Sequence, residues 1–366
     1  MLNYMPRLDG LRAVAIIFVL QNHFAGFNIA AGVGTGGLGV RLFFVLSGYL
    51  ITRILLSYRD SGTPIRKAAA HFYWRRLLRL SPALYLAITA GALIGIANLN
   101  EEWGVHALYL TNFRIAYTRE WGNSAHFWSL AVEEQFYLVW FFVILCVPRR
   151  HLLLARIVAI GSASLYRLFA YAMLFNVRAT VQPLPANIDF LACGALMAYA
   201  ETYSGTLYRR IKEVVTHPLA ILLSALLTFG GIFLPDSLFL LVAHPLSIAV
   251  LSMAVIVMAK EPGEDGKLGW LAWWPIRHLG KISYGVYVYH FFVPLLLAKF
   301  FADFYGHFSG FPRPIVYFVV NVTLSVMIAE LSWWLVERPL LDLKNKAPSW
   351  LPGWRSCNFS AARQHP

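Results

Sequence analysis

The sequence predicts an all-α polytopic membrane protein with about ten transmembrane helices and both termini in the cytoplasm. Three observations carry that reading. Of 366 residues 58% are hydrophobic and only 13% charged, where soluble domains are nearer half apolar and a quarter charged. The apolar residues gather in repeated runs of about 18 residues or more, the length a helix needs to cross hydrocarbon, and they do not alternate by twos as barrel strands do. The 31 Lys and Arg collect in the short loops between runs, mostly on one side, as the positive-inside rule requires. A polycation that binds nucleic acid spreads its Lys and Arg over solvated faces instead. The net charge of +13 therefore points to a lipid bilayer as partner and away from nucleic acid.

The first apolar run, 12–31, holds polar residues of its own and has no small-residue cleavage site after it, so it is expected to stay as a helix. Runs at 38–58 and 80–98 follow. The stretch "VHALYLTNFRIAY" at 105–117 is about 13 residues long, a length suited to an interfacial or re-entrant segment. Charge decides its placement. If it lies in the interface, residues 53–79, 149–150, 209–212, 260–281 and the C-terminal tail share the side of the N-terminus. If it spans, the "PRRH" loop at 148–151 is inverted. Runs at 126–147, 152–175, 187–203, 217–235, 238–259, 281–302 and 313–336 complete the ten. The loop 59–75 is then cytoplasmic, and 176–186 and 303–312 are external. Residues 1–345 read as one transmembrane domain and 346–366, with "APSWLPGW", as a short cytoplasmic tail. No internal repeat or pair of broken helices suggests a transporter's inverted halves. Cys146, Cys193 and Cys357 lack the spacing of a zinc site or disulfide framework, and no metal is expected.

Within these runs, polar residues that hydrocarbon should exclude mark the candidate site. "LRAVAIIFVLQNHF" at 11–24 places Arg12 and His23 eleven residues apart, on one helix face and about 16 Å apart along the axis. An ionisable group at such depth marks a pathway or an active site, and a neutral packing histidine is the plain alternative. Ser47, in "GVRLFFVLSGYLITR", lies at similar depth, although that stretch also suits a small-residue packing face. "HFYWRRLLRLSP" at 71–82 clusters Arg75, Arg76 and Arg79 at helical spacing beside Tyr73 and Trp74. Topology alone explains any one of these arginines, while guanidinium forks in a group suit phosphate recognition. In "HFWSLAVEEQFY", His126, Ser129 and Glu133 form one stripe, with Glu133 about 10 Å below the outer surface. A carboxylate there requires a partner, and Glu134 points elsewhere. Ser283, Tyr287 and His290 form a second stripe in "GKISYGVYVYHFFVPLLL", suited equally to an interhelical hydrogen-bond network and to chemistry. At Glu337, in "VERPL", a topological or capping role suffices.

Taken in order, "LDGLRAVAI", the Arg12 and His23 spacing, "FFVLSGYLI", Arg76 with Arg79, "FWSLAVEEQFY", "ISYGVYVYH" and "VERPL" resemble the acyltransferase 3 family from residue 4 to about 342. The resemblance implies an integral O-acyltransferase of the bacterial cytoplasmic (inner) membrane. Its acceptors would be extracytoplasmic glycans, lipo-oligosaccharides such as nodulation factors, or macrolides. It implies a cytosolic acyl-CoA donor, most simply acetyl-CoA, a catalytic role for His23, and positions near the donor for Arg12, Arg76 and Arg79, to which the local reading adds Arg75. The periplasmic esterase-like extension of some relatives is not expected here. His23 would serve as general base on the acceptor hydroxyl, or as an acyl-carrying nucleophile. Glu133 would orient it or hold the sugar, with Ser47, Ser129, Tyr287 and His290 as supporting or substrate contacts. The competing class is a proton-coupled transporter, since buried His and Glu also build proton relays. A pump has no use for the aromatic-flanked arginines.

Overall fold

The computed structural model describes residues 4–25, 34–96, 98–174, 180–230, 241–260, 268–301 and 312–343, and no strand occurs among them. Helix α1, Pro6–Phe24, starts on a proline at its first turn, where the missing N–H costs nothing. Helix α2 is Thr35–Asp60 and α3 is Ile65–Ile94. The third helix therefore begins well before its apolar run at 80, because the helix continues through the polar arginine segment that hydropathy leaves out. It ends on Gly95 in the left-handed conformation, the common helix stop. The stretch at 105–117 is divided between α4, Leu99–Ala107, and α5, Thr111–Thr118, with Tyr109 at φ 54° between them. Each is too short to cross a bilayer.

A short 3₁₀ turn, Ala125–Phe127, leads into α6, Trp128–Cys146. Then follow α7, Leu152–Leu174; α8, Ile188–Tyr203; α9, Gly205–Val215; α10, Pro218–Gly230; and α11, Ala243–Lys260. Next come α12, Trp274–Tyr289; α13, Phe292–Phe300; and α14, Pro312–Ser332. A π-helical turn, Trp333–Glu337, joins α14 to α15, Arg338–Asp342.

Six described helices are long and apolar enough to cross a membrane, or up to eight if two bent pairs each form one span. The pairs are α9 with α10, bent by 60°, and α12 with α13, bent by 54°, so the expected span at 281–302 is a broken one. Helix α1 is outside this set because its 19 residues include Asp9, Arg12, Gln21, Asn22 and His23; α8 has 16 residues. Parts of the runs at 12–31, 217–235 and 238–259, the start of the loop at 176–186, most of that at 303–312, and the whole tail at 346–366 lie outside the described residues.

Helix α2 is the hub, packed on α1, α6, α8 and α11. Its contact with α8 is backbone against backbone. A Cβ at Gly48 would sit 1.9 Å from the Leu191 carbonyl oxygen, and one at Gly194 would sit 2.0 Å from that of Val45. Small residues that let helices approach this closely are the usual packing device in lipid, where apolar burial drives no association. Gly280 of α12 likewise meets the Asp9 carbonyl of α1. Helix α7 turns Leu154, Ile157, Leu165 and Phe169 outward and hides two arginines within. Arg167 pairs with Asp189 at 2.7 Å and donates to the carbonyls of Leu241 and Ala186. Arg156 donates to the Ala195 carbonyl and lies over the Tyr199 ring.

The α4–α5 arm is held by His106, whose ring nitrogens bond Thr111 and Ser124, each at 2.8 Å. Burial, reinforced by Arg114, pushes His106 down to about 4. It is thus neutral at pH 7, and Glu102 is left to its ion pair with Arg114.

Two outcomes follow from this packing. Gly48→Val and Gly194→Val should each lower the thermal midpoint in detergent by the equivalent of at least about 1–3 kcal/mol, because no rotamer relieves a clash with backbone. Gly161→Ala, with nothing within 4 Å, should not. For His106, the unfolded ring takes up a proton near pH 6.5 and the folded ring near 4. Its contribution is therefore complete above about pH 6.5 and lost as pH falls towards 4. Hydrogen exchange across 99–118 should accelerate between pH 7 and pH 5, and His106→Gln should flatten that dependence.

Candidate active site

A cavity of about 610 Å³ opens between α1, α2, α3, α6, α12 and the π turn. It begins beside Tyr4, before the N-terminus of α1. Its basic walls are Arg12, Arg75, Arg76, Arg79, Lys281 and Arg338. The arginine stretch of α3 and the first turns of α1 are thus brought together. Asp9 accepts from Arg12 and from the Tyr4 hydroxyl, each at 2.7 Å, so this carboxylate is already engaged. Burial and Asp9 together push the Tyr4 phenol up to about 12. Arg76 lies over the Tyr137 ring at 5.8 Å. No hydrogen bond or ion pair joins Arg76, Arg79 or Lys281 to another described residue.

Deeper in, Ser47, Tyr137, Glu133, Ser129 and Tyr287 line the cavity, and Ser47 is hydrogen-bonded to Tyr137. The Tyr287 hydroxyl donates to the His126 carbonyl and accepts from Ser129, both at 2.7 Å. On the far side of this contact lies a second cluster, which does not line the cavity. His23, at the exposed end of α1, has its ring centroid 5.1 Å from that of His290 and 5.0 Å from that of Phe291. His290 in turn is 5.2 Å from His126. Both of these inner histidines are buried.

The local reason for this cluster is the break between α12 and α13. The last carbonyls of a helix have no intrahelical donor. Here the Tyr287 carbonyl accepts from His290 Nδ1 at 2.7 Å, and the Val288 carbonyl from His126 Nε2 at 3.2 Å.

The sequence-derived residues fall into two sets. Arg12, Arg75, Arg76, Arg79, Ser47, Ser129, Glu133 and Tyr287 share the cavity, whereas His23 and His290 stand together beyond it. The expected pairing of Glu133 with His23 is not seen among the described contacts. Glu133 faces Ser47, Tyr137 and Arg76 instead, because seven residues of α6 separate it from His126. Glu134 stays out of the cavity, as read. Two wall residues, Lys281 and Arg338, escaped the sequence reading, and Glu337, read there as topological or capping, also lines the cavity. Glu337 is buried and accepts from Ser332 at 3.0 Å. The signal available was its position in "VERPL", but the π turn that rotates it inward has no sequence signature. No group of three His, Cys, Asp or Glu placed to hold a metal ion occurs among the described residues.

Residues 5–330 match the sequence profile of the acyltransferase domain that defines the acyltransferase 3 family. The chain belongs to that family. This acyltransferase 3 chain is 27% identical to the peptidoglycan O-acetyltransferase OatA of Listeria monocytogenes, over 99% of its own length and 60% of that protein. It is 25% identical to the O-acetyltransferase OatA of Staphylococcus aureus, over 96% of its own length and 60% of that protein. It thus spans about three-fifths of the curated relatives it matches. No solved structure matches it. With several apolar helices and this family, the chain is an integral membrane protein.

Proposed function

We propose that the chain is a membrane-embedded O-acetyltransferase that takes its acyl group from cytosolic acetyl-CoA and delivers it to a hydroxyl of an extracytoplasmic glycan. The supporting observation is the cavity itself. Arg12, Arg75, Arg76, Arg79, Lys281 and Arg338 outnumber the carboxylates of the lining, Asp9, Glu133, Glu337 and Asp342, so the walls suit a ligand with several phosphates, and Arg forks favour phosphate over simple topology. In this reading the cavity mouth faces the cytoplasm, the chain crosses the inner membrane ten times, and both termini are cytoplasmic. Arg76 and Arg79 hold the donor's phosphates, aided by Arg75 and Arg12, and the pantetheine arm runs inward past Ser47 and Glu133. Tyr287 and Ser129 stand where the thioester would meet the histidines.

His23 acts on the acceptor hydroxyl as general base. A C–O bond forms to the acyl carbon, the C–S bond breaks, and the proton passes through His23 to the departing thiolate. Peptidoglycan is the first glycan to test as acceptor, because relatives carry it in their names.

Two measurements check this. Arg76→Ala and Arg79→Ala should each weaken acetyl-CoA binding by about tenfold or more, the scale of a lost hydrogen bond to a charged group. Lysine should restore binding only in part, since it lacks the planar fork. Normal binding by the double alanine variant would leave these residues as topological signals. His23→Ala should fold and bind acetyl-CoA yet lose roughly 10² to 10⁴ of its single-turnover rate. A packing histidine would instead cost about 1 kcal/mol of stability with turnover intact.

A further inference from the structure

His23 has no hydrogen-bond partner among the described residues, so nothing in its own helix fixes which ring nitrogen carries the proton. A histidine that takes a proton from a hydroxyl needs such a fixing group, because only one tautomer presents a bare nitrogen in the right direction. His290 has the properties required. Its Nδ1 donates to the Tyr287 carbonyl at 2.7 Å, which settles its own tautomer, since a carbonyl can only accept. In the neutral ring Nε2 is then a bare acceptor. That atom is buried and has no hydrogen-bond partner, which is costly for a polar atom in a native interior unless it has a use. The ring of His290 is in contact with that of His23, at 5.1 Å between centroids and 59° between planes.

His126 is held in the opposite sense. Its Nε2 is engaged with the Val288 carbonyl and its buried Nδ1 is unpartnered, but its ring stacks on Phe291 at 5.0 Å and 11°. It packs against His290 and builds the wall behind it.

We propose that His290 is a positioning residue for His23, accepting the N–H of His23 at its own Nε2 and so turning the bare nitrogen of His23 towards the acceptor hydroxyl. The inference rests on the reading of His23 as the base. During transfer the hydroxyl proton goes to the bare nitrogen of His23, and the imidazolium so formed keeps its other N–H on His290. The proton then leaves to the thiolate, and His290 is unchanged at the end of the cycle. The unmet nitrogen of His290 is thus explained by the step that uses it.

Three substitutions separate this role from simple packing. Asn at position 290 can still donate to the Tyr287 carbonyl but offers no acceptor at the Nε2 position. Gln can offer that acceptor, and Phe keeps only the ring. The assay is single-turnover acetyl transfer from acetyl-CoA to soluble peptidoglycan oligosaccharides by the purified full chain, with acetyl-CoA affinity and thermal midpoint measured alongside. His290→Asn and His290→Phe should lower kcat by about 10- to 100-fold, the scale of a lost hydrogen bond to a charged group such as the imidazolium, with donor affinity unchanged. His290→Gln should recover a large part of the loss.

Wild-type kcat in a folded His290→Asn, with His23→Ala inactive, overturns the positioning role alone. Full activity in His23→Ala overturns the base and its positioning partner together. Loss of activity in Asn, Gln and Phe in proportion to a lowered thermal midpoint would reduce His290 to packing.

Discussion

The constraint on which this structure turns is the cost of positive charge inside an apolar bundle. An arginine taken out of water without compensation is expensive, and in a membrane it has few ways to recover that cost. The chain meets the problem in two ways. In α7, Arg167 and Arg156 are fully buried: Arg167 is held by Asp189 and by the carbonyls of Leu241 and Ala186, and Arg156 by the carbonyls of Ala195 and Leu152 and the Tyr199 ring, with its Nη2 left unpartnered. Both act as ties between α7 and α8. Around the cavity the same residue type is left unsatisfied: Arg76 has an aromatic ring and Arg79 no bond of its own, while Asp9 is already shared between Arg12 and Tyr4. Such a wall is stable only if water or an anion completes it.

Keeping those cations around one space demands close helix crossings. Gly280 lets α12 lie directly on the Asp9 backbone, and Gly39 lets α2 lie on the Ala15 carbonyl, so that three helices reach the same cavity. The crossing of α2 with α8 through Gly48 and Gly194 anchors the hub from the opposite side. At the other end, α12 breaks rather than continuing. A straight helix there would have used its own carbonyls in the i to i−4 ladder. The 54° bend frees two of them for His126 and His290, and the histidine tautomers are a by-product of helix termination.

The sequence made the helical class legible because long apolar runs depend only on local composition. It also made legible the grouping of Arg75, Arg76 and Arg79, and the stripes on α6 and α12, since helical periodicity is fixed at 3.6 residues, whereas Arg12 joined that group only through the family resemblance. It misled where depth was inferred from position alone. Glu133 and His23 both read as deep, yet depth says nothing about which faces meet, and α6 turns Glu133 to Ser47 and Arg76. The number of spans was blurred for a related reason: α1 carries too many polar residues and α8 is too short to register as ordinary spans, although both pack in the core. Lys281 and Arg338 went unnoticed and Glu337 was read as no more than a cap, because a π turn and an inter-helix angle bring them inward and neither is encoded in a short motif.

The two clusters share a wall one side chain thick. Tyr287 reaches the cavity with its hydroxyl and touches the histidines with its ring, at 5.8 Å from His126 and 5.6 Å from His290 between centroids. Its hydroxyl donates to the His126 carbonyl and accepts from Ser129. Under the proposed reading, donor and acceptor arrive from opposite sides of a membrane that has to stay sealed to protons. A three-membered hydrogen-bonded contact of a phenol, a hydroxyl and a carbonyl suits that need, since none of them carries charge at neutral pH. In that reading the thioester carbonyl would reach His23 by displacing or passing this contact, so Tyr287 would set how far the acyl arm extends and the histidines beyond would act on it there.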